Sequence, residues 1–278
     1  MSLETRTVET NASSVPADDA SIRLAADALY EAMRDGRPCT PVRGLFADDR
    51  DIETAYAVQE YNRRRFLAEG RVAVGHKIGL TAAVVQKQLG VDQPDFGVLY
   101  ADTRVEDGGE VELSRLIQAK VEGEIAFVLK RDLDKDRLGL EDVIAATDYV
   151  SAAIEIVDSR IRNWDIRLLD TVADNASSGL FVLGEERRGL EGLDLTALHM
   201  TLSGGDGILS QGTGADCMGS PALAMVWLAR KAVSLGRPLR AGDVVLSGAL
   251  GPMMPVTPGS RFVVAIEHLG EVSVGFGN

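Results

Sequence analysis

The first seventy residues alternate apolar and polar positions with the spacing of amphipathic helices. A first helix is predicted from a cap at Asp18-Asp19 to the glycine at position 36. Its inward face comprises Ile22, Ala25, Ala26, Leu29 and Met33. A second helix is predicted from about Asp51 to Leu67, with an inward face formed by Ile52, Ala55, Val58 and Leu67. We therefore expect a helical segment over residues 18–70, preceded by a flexible lead-in over residues 1–17.

From Arg71 onward the pattern changes to short strand-like runs separated by glycine-rich turns. The runs include RVAVGHKIG, FGVLYAD, EVEL, KVEGEIAFVLK, SAAIEIV, SSGLFVLG, DVVLSG, RFVVAIEHL and EVSVGF. Helices are predicted for AAVVQKQL after Thr81, for LEDVIAATDYV and for the stretch from Pro221 to Leu235. Strands and helices do not alternate regularly, so residues 71–278 are predicted to form a single α+β domain with an antiparallel-rich mixed sheet.

Two of the strand-like runs carry glutamates among apolar residues. Side chains alternate faces along a strand, so Glu122 and Glu124 point the same way. Glu155 lies in the second run, between alanines and isoleucines. A buried carboxylate needs a partner, and a hard divalent metal bound by carboxylate oxygens would serve all three. The alternative is that the glutamates lie on a solvent face, where Lys120 or an arginine pairs with them.

Composition narrows the class of protein without identifying a reaction. Of 278 residues, 45% are hydrophobic and 26% are charged, as in an ordinary globular protein. The formal net charge of -13 argues against nucleic acid or an anionic membrane surface as the main partner. No apolar stretch approaches the ~18 residues of a membrane span. The same acidity does not forbid an anionic substrate if a metal and a few cations lie in the pocket.

The cysteines and the N-terminus predict a cytoplasmic protein. Cys39 and Cys217 are far apart and form neither a disulfide framework nor a zinc-binding pattern. The N-terminal segment lacks the apolar core of a signal peptide. Glycines at 212–219 have the wrong spacing for a dinucleotide loop, and they are interpreted as a turn before the helix at Pro221. His76, beside Lys77, is a candidate for lining a site.

Six segments together resemble the 2-hydroxypenta-2,4-dienoate hydratases, also called 2-keto-4-pentenoate hydratases. They are GHKIGLT (75–81), GVDQPDFG (90–97), KVEGEIAFVL (120–129), AAIEIVDSRIRNW (152–164), DTVADNASSG (170–179) and LSGALGPMMPV (246–256). The segments agree in order and spacing, and the similarity extends from about residue 20 to the C-terminus. The resemblance implies a helical cap followed by a mixed β-roll or sandwich of the fumarylacetoacetase C-terminal-like type.

The resemblance also implies a metal centre and two catalytic residues. Glu122, Glu124 and Glu155 fall on the positions that bind Mg²⁺ or Mn²⁺ in that family, the same trio that the strand pattern selects. Lys77 falls on the active-site lysine. Asp95, in QPDFG, falls on an acidic residue at the pocket. Which of Lys77 and Asp95 acts as acid or base stays open at this point.

Substrate contacts are implied for two further positions. Ser178 lies in the segment that resembles the substrate-carboxylate contacts of the family, and Leu80 lies in the K-I-G-L-T segment. Arg160 is considered as a brace for the metal carboxylates.

The activity implied by the resemblance is metal-dependent hydration of 2-hydroxypenta-2,4-dienoate, or of a substituted homologue, to 4-hydroxy-2-oxopentanoate. Such hydratases serve meta-cleavage degradation of aromatic compounds or steroids. The family forms homo-oligomers, and a complex with other enzymes of the pathway is a further expectation.

Three alternatives to hydration are weighed. The sister decarboxylases of 2-oxo-3-hexenedioate (4-oxalocrotonate) share the glutamate trio, the lysine and VADNASS, but QPDFG and SGALGP look like the hydratase versions. An acylpyruvate hydrolase would need a base to activate water, for which Asp48-Asp49 and His76 offer no clear equivalent. A non-catalytic partner role fits poorly with an intact glutamate trio and lysine.

Overall fold

The computed structural model describes residues 20–48, 51–82, 86, 93–205 and 207–277. The predicted lead-in, the cap at Asp18-Asp19 and most of the helix predicted after Thr81 lie outside these residues. The helices are α1 Ala20–Asp35, α2 Ile52–Ala68, α3 Leu140–Ala146, α4 Leu168–Ala173 and α5 Pro221–Ser234. Within the described ranges, no helix combines the length and apolarity needed to cross a membrane.

Thirteen strands in the described residues form two sheets. The strands are β1 Ala73–Gly79, β2 Asp95–Tyr100, β3 Arg104–Val105, β4 Glu110–Val111, β5 Lys120–Leu129, β6 Thr147–Val157, β7 Ser178–Leu183, β8 His199–Gly204, β9 Gly207–Thr213, β10 Val244–Leu246, β11 Met254–Pro255, β12 Arg261–Ile266 and β13 Gly270–Phe276. The larger sheet has the order β2-β1-β10-β5-β6-β7-β3, with β11 also paired to β5, and the smaller has the order β4-β13-β12-β8-β9. Most pairs are antiparallel, but β1 is parallel to β10, so the predicted α+β class with a mixed sheet is confirmed.

The two sheets pack face to face where β5 crosses the smaller sheet. At Gly123, an added Cβ would lie 2.9 Å from Sδ of Met200 and 3.1 Å from Cγ1 of Val264. A side chain at this position would displace Met200 or Val264, so glycine allows the two sheets to approach closely here. Because neighbouring residues of a strand face opposite ways, Glu122 and Glu124 point to the face turned away from the smaller sheet.

The N-terminal helices cover the larger sheet. Helix α2 begins after Asp51, whose side chain accepts a hydrogen bond from Thr54 N at 3.0 Å. Gln59 on this helix donates to the carbonyls of Phe96 in β2 (2.8 Å) and Val172 in α4 (3.0 Å). The predictions that Met33 and Leu67 face inward are wrong, since 40% and 38% of these residues are exposed.

The helix predicted for LEDVIAATDYV is correct only in its first part. Helix α3 ends at Ala146, and β6 begins at Thr147, which pairs with Leu129 of β5. Val150 belongs to the strand and is fully buried. The residues from Thr147 onward have helical spacing, but they form a strand because β6 pairs with almost the whole length of β5.

Candidate active site

The three glutamates converge because β5 and β6 are antiparallel neighbours. Glu122 lies directly opposite Glu155 in the ladder, and Glu124 is two residues further along the same face. One carboxylate oxygen from each lies within 4.8 Å of the others. All three side chains are buried, with exposures of 8%, 0% and 0% for Glu122, Glu124 and Glu155. The alternative of a solvent-exposed face is therefore wrong.

The cluster is short of positive charge and of hydrogen-bond donors. Burial, together with the charge of Glu155, raises the pKa of Glu122 to about 7. Burial also raises the pKa of Glu124 and of Glu155. Glu124 Oε2 accepts a hydrogen bond from Gly248 N at 2.7 Å, but Glu124 Oε1 and Glu155 Oε2 find no hydrogen-bond partner among the described residues. Three carboxylates with open, buried oxygens fit a hard divalent cation.

Lys77 contributes the positive charge that lies against the glutamate cluster. It is buried in β1, with Nζ 3.2 Å from Glu155 Oε1, and it donates to the carbonyl of Ala176 at 2.9 Å. Burial opposes its charge, but the nearby carboxylates of Glu155 and Asp95 outweigh burial and raise the pKa of Lys77. The structure thus holds the lysine protonated.

Asp95 reaches the same place from the neighbouring strand β2. It pairs across the ladder with Gly79, which is two residues after Lys77. A Cβ at Gly79 would lie 2.2 Å from Asp95 Oδ1 and 3.2 Å from Lys77 Nζ, so glycine leaves room for both side chains. Thr171 Oγ1 donates to Asp95 Oδ2 at 3.0 Å, while Oδ1 has no partner among the described residues. Burial raises the pKa of Asp95.

The segment DTVADNASSG supports both catalytic candidates. Its helical part, α4, presents Thr171 to Asp95, and the following turn presents the Ala176 carbonyl to Lys77. Arg160 does not brace the metal carboxylates as considered from the sequence. Its side chain donates instead to Asp174 and to the carbonyls of Asp158, Asp174 and Ser178.

The two residues predicted to contact substrate lie at the ends of strands β1 and β7 of the larger sheet. Leu80 directly follows β1, is half-buried and has a left-handed backbone with φ of 57°. Ser178 begins β7 and lines a cavity of about 560 Å³ that Arg160 and Asp174 also line. Among the described residues that line this cavity, none belongs to the glutamate trio. The substrate contacts of Leu80 and Ser178 stay predictions.

His76 lies apart from the catalytic candidates. It lies in β1 directly before Lys77, so its side chain points to the opposite face of the strand. Its ring centroid lies 5.8 Å from that of Phe96. Burial lowers the pKa of His76 to about 3. A neutral imidazole in aromatic surroundings indicates a packing role.

Sequence reasoning missed four groups that complete the site. Two act through their backbone, the carbonyl of Ala176 and the N–H of Gly248, and a third, Gly79, acts by lacking a side chain. The fourth is the hydroxyl of Thr171. Each of these residues lies in one of the six segments that carry the family resemblance, and that position was the one sign in the sequence that pointed to them.

Comparison with known proteins agrees with this architecture. Residues 68–276 match the family described as fumarylacetoacetate (FAA) hydrolase C-terminal. A relative from Dechloromonas aromatica strain RCB, named 2-keto-4-pentenoate hydratase 2, is 57% identical over 91% of this chain and 96% of its own. The TodF product hydratase of Pseudomonas putida strain F1 is 53% identical over 92% of this chain and 97% of its own.

A solved structure extends the comparison to three dimensions. The 4-oxalocrotonate decarboxylase of Pseudomonas putida G7, complexed with magnesium and adipate, superposes with a TM-score of 0.87 at 35% identity. The superposition covers 92% of this chain and 97% of the decarboxylase. The chain therefore belongs to the FAA hydrolase C-terminal family and groups there with the 2-keto-4-pentenoate hydratases.

Proposed function

We propose that the protein is a metal-dependent hydro-lyase that hydrates 2-hydroxypenta-2,4-dienoate, or a substituted homologue, to 4-hydroxy-2-oxopentanoate. The observation that carries the proposal is the buried cluster of three glutamates with Lys77, in a chain 57% identical to a named 2-keto-4-pentenoate hydratase. In the cell, this step would belong to meta-cleavage degradation of aromatic compounds or steroids.

The proposed metal ligands are Glu122, Glu124 and Glu155. Oxygen-only ligation suits Mg²⁺ or Mn²⁺, and the trio contains no Cys or His of the kind that zinc prefers. A divalent cation bound there would supply Lewis-acid stabilisation of negative charge on the 2-oxygen of the substrate.

Lys77 is proposed to stabilise developing negative charge on the substrate oxygen. Its ammonium group is fixed between Glu155 and the Ala176 carbonyl, and the surrounding carboxylates favour the protonated form. A fixed, buried positive charge interacts more strongly with a negative charge than the same group would in water, because the low-dielectric surroundings screen the interaction less. These features favour electrostatic stabilisation over a role as general base.

Asp95 is proposed as the group that moves protons. One of its oxygens is held by Thr171 and the other is free of hydrogen bonds from the described residues. Its pKa is raised toward neutral pH. General acids and bases are most effective when their pKa lies near the pH at which the enzyme works. Delivery of a proton to C5, with loss of the proton of the 2-hydroxyl group, would convert the dienol to its tautomer, the 2-oxo-3-enoate. Addition of water across C3 and C4, with OH at C4 and H at C3, would then give the product.

We further infer a homo-oligomer in the cytoplasm. Large apolar side chains are exposed on the helices and could supply subunit contacts, among them Leu24, Leu140, Ile144 and Leu223. Both cysteines are free thiols, which suits a reducing compartment. Light scattering of the purified protein tests the oligomer, and a monomer would contradict this inference.

The decisive experiment follows two substrates with metal-free protein, with and without Mn²⁺. We expect the absorbance of freshly generated 2-hydroxypenta-2,4-dienoate to decay only with metal, with 4-hydroxy-2-oxopentanoate as product. The structural similarity to 4-oxalocrotonate decarboxylase makes 2-oxo-3-hexenedioate the matched second substrate. Release of carbon dioxide from 2-oxo-3-hexenedioate, without turnover of the dienoate, would show that the protein is a decarboxylase and not a hydratase. Inactivity on both would refute the proposal.

A further inference from the structure

Three consecutive residues after α4 have left-handed backbones although none is glycine. The φ angles are 54° at Asn175, 52° at Ala176 and 53° at Ser177. This conformation costs roughly 1–2 kcal/mol for each residue with a side chain. Such strain persists only where the surroundings hold it in place, and it is concentrated at functional sites.

The left-handed turn 175–177 contacts both strands that carry the catalytic candidates. Its Ala176 carbonyl accepts the hydrogen bond from Lys77 Nζ in β1. The Asn175 side chain bonds Val98 of β2 twice, accepting from N at 2.7 Å and donating to O at 2.9 Å. A Cβ at Gly97 would lie 2.2 Å from the Asn175 carbonyl oxygen, so the turn and β2 are in close contact.

One guanidinium group holds both ends of this turn. Arg160 donates through Nη2 to the carbonyl of Asp174 at 2.5 Å and through Nη1 to the carbonyl of Ser178 at 2.7 Å. Its Nε donates to Asp174 Oδ1 at 2.5 Å, and its backbone N donates to Asp174 Oδ2 at 3.0 Å. Arginine presents these donors in a planar, rigid fork that lysine cannot reproduce.

We propose that Arg160, together with Asp174, is a positioning residue for Lys77. By clamping residues 174 and 178, it holds the strained turn in the conformation that directs the Ala176 carbonyl at the ammonium group. The ammonium is thereby kept against Glu155. Arg160 acts through the turn and through Lys77, so the inference rests on the catalytic role proposed for that lysine.

The first test replaces Arg160 by lysine, which keeps the charge but cannot hold two carbonyls and a carboxylate together. We expect kcat for the dienoate to fall about 10- to 100-fold, the range typical of outer partners of a metal site. KM should change less than kcat. Because Lys77 pairs with Glu155, a proposed metal ligand, kcat is compared at saturating Mn²⁺, so that weaker metal binding does not account for the loss. Asp174→Asn, measured in the same way, serves if Arg160→Lys does not fold.

The matched control is Arg43→Lys. Arg43 Nη1 pairs with the buried Asp170 at 2.6 Å, only four residues before Asp174, but Arg43 does not bond to the turn 175–177. It should lose a comparable amount of thermal stability and keep kcat within about threefold. Equal losses of kcat in Arg43→Lys and Arg160→Lys would reduce Arg160 to a structural role and overturn the proposal.

A double-mutant cycle with Lys77→Met separates the inference from the proposed function. If Arg160 acts through Lys77, adding Arg160→Lys to Lys77→Met should cause little further loss of kcat. Ala176→Gly, which removes strain from the turn, should restore part of the kcat lost in Arg160→Lys. Full additivity in the cycle, or wild-type kcat in Arg160→Lys, would overturn the positioning role alone. Wild-type kcat in Lys77→Met would overturn the role proposed for that lysine.

Discussion

Two clusters of buried charge, one within the larger sheet and one in the segments that follow β6 and α4, differ in how completely their polar atoms are bonded. In the cluster of Arg160 and Asp174, both carboxylate oxygens accept hydrogen bonds and the guanidinium donates to several carbonyls. In the cluster of Lys77 with the three glutamates, one ammonium faces an excess of carboxylates. Three of the glutamate oxygens, Glu124 Oε1 and both oxygens of Glu155, accept no hydrogen bond from the described residues, although Glu155 Oε1 lies 3.2 Å from Lys77 Nζ.

This difference teaches how to separate a structural charge from a functional one. Burial alone does not distinguish the clusters, because Asp174 and Glu155 are both almost inaccessible. A cluster whose donors and acceptors balance needs nothing more and rigidifies its surroundings. A cluster with spare acceptors and surplus negative charge is completed only by a ligand. The five predictions below test that distinction and its surroundings, beginning with the largest effect.

Replacing Glu124 by glutamine should remove most activity. The change exchanges a charged ligand for a neutral one of the same shape, so kcat/KM should fall about 1,000-fold or more and Mn²⁺ should bind weakly. The measurements are steady-state kinetics and calorimetric titration with Mn²⁺. Asp194→Asn, at an exposed carboxylate that bonds its close neighbours Thr196 and Ala197, is the control and should match the wild type. Normal Mn²⁺ affinity in Glu124→Gln would contradict the assignment of the ligands.

Replacing Gly79 by alanine should disturb the catalytic pair without touching the metal ligands. The added Cβ would meet Asp95 Oδ1 at 2.2 Å and Lys77 Nζ at 3.2 Å, so one of the two side chains has to move. We expect kcat to fall about 100-fold, as when a proton-transfer group is displaced. Gly189→Ala, where an added Cβ would meet nothing within 4 Å, is the control. Comparable kcat in Gly79→Ala and the wild type would show that Lys77 and Asp95 are not the acting groups.

The stability of the metal-free protein should fall as the pH rises from 5 to 8. Folding raises the pKa of Glu122 from 4.5 to about 7 and that of Asp174 from 3.8 to about 6. A carboxyl group whose pKa is raised on folding stabilises the protein below its unfolded pKa, and that contribution is lost as the pH rises through the folded pKa. Thermal unfolding of metal-free protein between pH 5 and pH 8 measures this loss.

Metal binding should offset the loss of stability at high pH only through the cluster of three glutamates, and not through Asp174. Saturating Mn²⁺ should raise Tm by about 5–10 °C at pH 8 and by less than half as much at pH 5, where protons compete with the ion. Glu124→Gln, as control, should show little increment at either pH. An equal increment at both pH values would mean that the ion binds elsewhere.

The smallest effect is expected at the left-handed turn. Ala176→Gly relieves backbone strain but makes the unfolded chain more flexible, so the free energy of unfolding should rise by about 0.5 kcal/mol. Ala173→Gly, in the helix three residues earlier, should lower it by about 1 kcal/mol. Chemical denaturation measures both values. If Ala176→Gly were destabilising like Ala173→Gly, the strain assigned to the turn would not exist.

The sequence predicted local features of the site better than long-range ones. The shared face of Glu122 and Glu124 follows from the period of a strand, and it appears in the structure as expected. The position of Glu155 opposite Glu122 depends on the register of two strands joined by a loop and a helix, which no local pattern contains. The resemblance supplied Lys77 and Asp95, but their meeting at Gly79 required the ladder between β1 and β2.

Other features were hidden because backbone groups carry them. The Ala176 carbonyl and the Gly248 N–H have no side-chain signature, so no residue type indicates their roles. The helix predicted for LEDVIAATDYV was too long because apolar residues in TDYV fit both helical and strand spacing. Pairing with β5 selects the strand from Thr147 onward.

The position of β10 decides when the site can come into existence. This strand, at residues 244–246, lies between β1 and β5 and is bonded to both. A nascent chain therefore cannot bring Lys77 beside the glutamates in their native register until almost all of the protein has left the ribosome. Contacts between such distant parts of a chain form slowly. The glutamates of β5 and β6 pair directly with each other and do not need β10, so Lys77 is the part of the cluster that is added last.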